Sequence, residues 1–175
     1  FINDLVDRGR EDEARRHRPR ERGSGTDGGD IFGQDESGRY VLIPDSDGHL
    51  WDLEWGMMCV NFIDALAYAR WFSEKTDSNW RLPSEAEWEK LARGVDGRKH
   101  PWGDHVEAGW AARNDSLERS PMPERVASYP IDRSVYGVHD LGGGLRDWTC
   151  SYEDHEQSVE NGRIRGQYAG MNPDF

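Results

Sequence analysis

The chain has 175 residues, a formal net charge of −12, 35% hydrophobic residues and a mean hydropathy of −0.94. That length suits one domain, and the acidic balance excludes a broad nucleic-acid footprint, which needs clustered positive charge. Eight Trp, six Tyr and five Phe offset the low hydrophobic content, so the expected core is aromatic.

Twenty Gly and eight Pro predict many turns and much irregular backbone. No apolar run approaches the roughly 18 residues of a membrane span, and no signal peptide is visible. The opening Phe1-Ile2-Asn3-Asp4 lacks an initiator Met and reads as a piece of something longer. The expected organisation is one domain over 1–175, truncated at both ends, with a charged and Gly-rich insertion at 8–30 and a core at 40–175. An acidic surface suits solubility, divalent cations or basic partners.

Along the chain, Ile2, Leu5 and Val6 have helical i, i+3, i+4 spacing and read as a helix end. Arg8 to Arg22 carries seven Arg and four acids, a pattern open to a mixed-charge helix, an exposed loop or an anion-binding arm. Gly23 to Gly29 is loop-forming by composition. Tyr40-Val41-Leu42-Ile43, bounded by Gly38 and Pro44, reads as a strand. Asp45-Ser46-Asp47-Gly48 begins like a calcium-binding EF-hand loop, but the later Glu spacing fails, leaving an Asx-type turn.

Asn61 to Lys75 reads as a helix capped by Asn61 with Asp64 at N3, and with Phe62, Ala65, Leu66, Ala69 and Phe72 as its apolar stripe. Ser84 to Arg93 reads as a second helix. Ser84 and Glu87 form a capping box, Trp88, Leu91 and Ala92 face inward, and Gly94 stops the helix. Arg81 can pair with Glu85 or Glu87 at the helix entry. Trp88, Trp102 and Trp148 read as core aromatics. Short strand candidates are Arg125–Tyr129 and Gly162–Arg165. Cys59 and Cys150 have no CxxC or Cys/His spacing; a disulfide and two buried thiols both stay open, with buried thiols the expectation.

The run from Asn61 to Trp148 resembles the formylglycine-generating enzyme, or sulfatase-modifying factor, superfamily. The likeness is carried by Ala65-Leu66-Ala67-Tyr68-Ala69-Arg70-Trp71, by Arg81 to Gly94 (RLPSEAEWEKLARG) and by Pro101-Trp102-Gly103. It continues in Val126-Ala127-Ser128-Tyr129-Pro130 and in Tyr136 to Thr149 (YGVHDLGGGLRDWT), with Arg165-Gly166 at the start of the last motif. About two-thirds of the chain is covered. The resemblance implies an α+β fold, the formylglycine-generating variant of the C-type lectin fold, with few helices, short antiparallel strands and many loops. The charged segment and the VYGVHDLGG variant are similar to members fused to serine/threonine protein kinases.

The resemblance also implies metal positions. Family members bind Ca²⁺ through the loop before a W-E-W motif. Matched here, the donors are the Asp140 side chain, the Gly143 and Leu145 carbonyls and the Asp147 carboxylate. Gly144 replaces the family's Asn and Arg146 its Trp, and Arg146 can replace the ion with a salt bridge; the alternative to a metal site is a hydrogen-bonded acidic loop. A second family site matches Asn114 and Asp115, with its downstream Asp falling near Glu118. The enzymes of the family carry a copper-binding cysteine pair beyond the region matched here, so copper is expected only if the parent protein holds such a pair. Cys59 and Cys150 lie elsewhere in the motif order. None of the six His provides the three-histidine iron spacing of ergothioneine-type relatives, and His100 and His105 read as surface residues.

No catalytic set is visible in the chain. The favoured expectation is a non-catalytic module that recognises a protein or small ligand, with a kinase domain in the parent chain, no nucleic acid and no membrane partner, and a cytoplasmic setting. One alternative is a copper-dependent formylglycine-generating oxidase whose cysteines lie further along the parent. Another is a retroelement-diversified binding protein on the same scaffold.

Overall fold

A computed structural model describes residues 1–21, 28–112, 124–150 and the strand at 167–169. The chain divides into two compact units, Phe1–Arg81 and Leu82–Phe175.

The first unit opens with α1 (Ile2–Asp7) and α2 (Glu11–Arg16). Gly9, at φ +70°, makes the reversal between them. Within the charge-dense segment, α2 is the mixed-charge helix among the expected alternatives. Its acids Glu11, Asp12 and Glu13 occupy the first turn and Arg15 and Arg16 the last, which matches the helix dipole at both ends. Leu5 and Ala14 are buried.

Strands β1 (Phe32–Gln34) and β2 (Tyr40–Leu42) form an antiparallel hairpin, with Phe32 opposite Leu42 and Gln34 opposite Tyr40. The Asn3 side chain serves as a further partner for β2: it accepts from the Tyr40 N–H at 2.7 Å and donates to the Tyr40 carbonyl at 3.0 Å. The expected Asx turn follows. The Asp45 carboxylate accepts from Asp47 N and His49 N and holds the buried Trp51 through its indole N–H.

Helix α3 (Phe62–Thr76) starts at the expected capping box. Asn61 Oδ1 accepts from Asp64 N, and Asp64 Oδ2 accepts from Asn61 N, both at 3.0 Å. Phe62, Ala65, Leu66, Ala69 and Phe72 are only half-buried, and the buried residue of this helix is Asp64. Its other oxygen meets His17 Nδ1 at 2.9 Å. Trp71 donates its indole N–H to Asp4, which ties α3 to α1, and Trp80 folds back onto Thr76 and Ser73.

In the second unit, α4 (Glu85–Arg93) also begins at its expected capping box, with Ser84 and Glu87 bonded reciprocally. Gly94 ends it at φ +69°. Trp88, Ala92 and Leu141 form a buried cluster, with Val138 packed against it. Leu91 is exposed, contrary to expectation, because the buried stripe runs from Trp88 to Ala92 at i, i+4 and turns Leu91 away. Strand β3 (Asp147–Thr149) pairs antiparallel with β4 (Gln167–Ala169).

Two further expectations are corrected. Arg125–Tyr129 forms a turn rather than a strand. The Ser128 hydroxyl takes the Arg125 carbonyl at 2.6 Å, and Ala127 sits at φ +59°, so a ladder cannot form there. His100 is buried rather than on the surface; its ring stacks on Trp102 at 5.2 Å, across the tight turn closed by Gly103, while His105 is exposed as expected. Both cysteines are free thiols. Cys150 is buried and Cys59 half-buried. The strand candidate Gly162–Arg165 lies outside the described residues. Among the described residues no helix is long and apolar enough to cross a membrane.

Candidate cation site

Of the four residues of the expected calcium loop, Asp140 precedes the buried Leu141, Gly143 and Leu145 lie on the irregular segment after it, and Asp147 is the first residue of β3. Asn114, Asp115 and Glu118 lie outside the described residues.

Glycine is required in this segment by close packing. A Cβ on Gly142 would run into the Trp102 ring, and a Cβ on Gly143 would overlap the carbonyl oxygen of Ala112. The Gly144 N–H donates to that same carbonyl at 2.5 Å, and Gly144 has φ +75°. The triple glycine therefore lets the loop lie directly against the Trp102 ring and the Ala112 backbone.

Asp132 is the residue that sequence reasoning missed. It is buried, and both of its carboxylate oxygens accept the Gly142 N–H, at 2.9 and 3.0 Å. Its carbonyl accepts the Asp140 N–H at 3.1 Å. One residue thus fixes both sides of Leu141. The only local signal was an Asp just ahead of the Ser134–Gly137 turn, two residues after Pro130, a common arrangement that carries no metal or catalytic spacing.

Burial pushes the Asp132 carboxyl up to about 6; the N–H of Gly142 opposes the rise and the nearby Asp140 carboxylate adds to it. The folded chain therefore holds this proton more tightly than the unfolded chain. Stability from this group is full below the unfolded value near 4 and is lost as pH rises through about 6. Urea unfolding is expected to show a decline between pH 4 and pH 7 that is about 2 kcal/mol smaller in Asp132→Asn than in the natural chain. Asp96, which its bond to Arg98 holds down at about 2, acts only below this window.

The two candidate carboxylate ligands are each half engaged. Asp140, at φ +61°, accepts through Oδ2 from the N–H of Ala127 at 2.7 Å, so two left-handed non-glycine residues are bonded to each other. Asp147 accepts through Oδ2 from the Trp88 indole N–H at 2.8 Å. Local desolvation raises the Asp147 carboxyl pKa, the indole bond opposes this, and the Asp140 charge raises it further, although Asp147 as a residue is exposed. Among the described residues, Oδ1 of each Asp and the carbonyls of Gly143 and Leu145 have no hydrogen-bond partner. Two mutually repelling carboxylates, each with one oxygen unbonded among the described residues, fit a hard oxygen-seeking cation. Among the described residues no set of three His, Cys, Asp or Glu converges on a metal position, so carbonyls and water would supply the remaining ligands.

The class of protein follows from comparison. Residues 52–175 match the family described as sulfatase-modifying factor enzyme 1-like domain. The chain belongs to that family. It is 49% identical over 104 residues to a formylglycine-generating enzyme of Streptomyces coelicolor, covering 53% of this chain and 30% of that protein. It is 32% identical over 130 residues to the serine/threonine-protein kinase Pkn1 of Chlamydia trachomatis, covering 72% of this chain and 18% of the kinase. Among solved structures, PvdO from Pseudomonas aeruginosa is similar with a TM-score of 0.50 and 25% identity, over 73% of this chain and 50% of PvdO. The few helices and short antiparallel strands agree with that likeness. The chain spans between 18% and 37% of the length of the first curated relatives it matches.

Proposed function

We propose that this chain is a non-catalytic recognition module on the formylglycine-generating variant of the C-type lectin fold. It binds a protein or small ligand, and its 140–147 loop is stabilised by Ca²⁺. The observation that carries this reading is the pair of half-engaged carboxylates, Asp140 and Asp147, each with one oxygen that has no hydrogen-bond partner among the described residues. The motif residues support it in another way, because their polar groups are spent on the scaffold. Ser84 and Glu87 cap α4, Trp88 holds Asp147, and the buried Cys150 thiol donates to the Leu82 carbonyl. The likeness to a kinase over 72% of the chain supports a serine/threonine kinase domain in the parent protein.

Calcium would supply charge neutralisation to the loop. Asp140 and Asp147 would each bind through one oxygen, with the Gly143 and Leu145 carbonyls completing the protein's share. Ligand binding to the folded state raises stability by mass action, by about 2.7 kcal/mol at a hundredfold excess over Kd. Thermal unfolding in EDTA and in millimolar CaCl₂ is expected to show a higher melting temperature with Ca²⁺, and no shift in Asp147→Ala. The same shift in Asp147→Ala, or none in the natural chain, would sink the reading.

A second reading is favoured by the 49% identity to a formylglycine-generating enzyme. In it the parent protein is a copper-dependent oxidase that converts a substrate cysteine, with its cysteine pair outside residues 1–175. Copper-dependent oxidation of a Cys-bearing peptide by the full-length parent separates the two readings, since a recognition module leaves the peptide unchanged.

A further inference from the structure

Resting on the calcium reading above, we propose that Trp88 is a positioning residue for the cation site: its indole N–H fixes one oxygen of Asp147 and leaves the other for the ion. Trp88 lies on α4 and is packed in the cluster with Ala92 and Leu141, only 8% exposed. A ring packed in this way presents its N–H along a fixed direction. Asp147 opens β3, where pairing with Ala169 of β4 fixes the backbone. The 2.8 Å bond between Nε1 and Oδ2 then restrains the side chain as well.

The two carboxylates are restrained by different means. Asp140 is held by the backbone N–H of Ala127, which no substitution other than proline removes. Asp147 is held by a side-chain donor 59 residues away in sequence, which can be removed cleanly. Without the N–H, Asp147 gains rotational freedom that cation binding must then remove, and it loses the donor that neutralises one of its oxygens. Outer-shell donors of this kind typically change metal affinity about 10–100-fold. The RLPSEAEWE motif would therefore reach the cation site through one atom of its tryptophan.

A merely structural indole bond makes a different prediction. A buried indole N–H needs a partner in any case, and its loss would then lower stability equally with and without Ca²⁺ and leave affinity unchanged. Calorimetric Ca²⁺ titration of the whole chain, of Trp88→Phe and of Asp147→Ala, with melting in EDTA, decides between them. Trp88→Phe is expected to weaken Ca²⁺ binding about tenfold while retaining a cooperative melting transition in EDTA. Natural affinity in Trp88→Phe overturns the positioning role alone. Absence of Ca²⁺ binding by the natural chain overturns the calcium reading itself, so the two failures are distinguishable. Should Trp88→Phe fail to fold, the ¹⁵N-indole resonance of Trp88 in the natural chain takes its place. It is expected to move on Ca²⁺ saturation and to stay still in Asp147→Ala. A resonance that stays still while the 140–147 amides saturate overturns the proposal.

Discussion

Gly143→Ala is expected to lower the free energy of unfolding by about 3 kcal/mol, at the upper end of ordinary overpacking. The reason is the identity of the atom it meets. The new methyl would overlap the Ala112 carbonyl oxygen, with the rest of that residue's backbone directly behind it. A flexible side chain could swing aside; a backbone carbonyl can retreat only by stretching the bond it accepts from Gly144 N. Gly48→Ala is the matched control. Gly48 has φ +84° and open space where its Cβ would stand, so that substitution costs backbone strain only, about 1–2 kcal/mol. Urea unfolding of both variants reads the difference. Equal losses would mean that the loop does not lie against Ala112 as described.

Asp64→Ala is expected to cost about 3 kcal/mol, well above the ~1 kcal/mol typical of losing one cap residue such as Asn61. Asp64 performs two tasks from a position only 5% exposed. One oxygen closes the capping box on Asn61 N, and the other holds His17 Nδ1. Removing it strands the His17 ring, itself largely covered, without that partner. A double-mutant cycle with His17→Ala tests the coupling. The two losses are expected to be non-additive, and simple additivity within about 0.5 kcal/mol would show that the bond carries no coupling.

These two residues also show what was legible in the sequence. Both capping boxes were readable because they are local: Asn61 with Asp64, and Ser84 with Glu87, each close three residues apart. The Gly94 stop and the Asp45 turn were readable for the same reason. The second task of Asp64 was not, because its partner His17 lies 47 residues earlier. The family motifs marked the candidate loop and its four donors, which all lie within residues 140–147. The means of holding them came from distant partners that no spacing reveals. Trp88 reaches Asp147 across 59 residues, and Ala112 meets Gly143 by backbone contact. Asp132 was missed because a buried carboxylate that organises backbone amides looks, in sequence, like any turn-forming Asp. The Arg125–Tyr129 strand failed because its β-like composition could not show the Ser128 hydroxyl capturing the Arg125 carbonyl.

The boundary between the two compact units falls between Arg81 and Leu82, inside RLPSEAEWE. Eight of the nine residues of that stretch, with both members of the α4 capping box, belong to the second unit, while α3 with its ALAYARW run belongs to the first. The recognisable sequence is thus shared between two compact bodies, each of which holds its own capped helix.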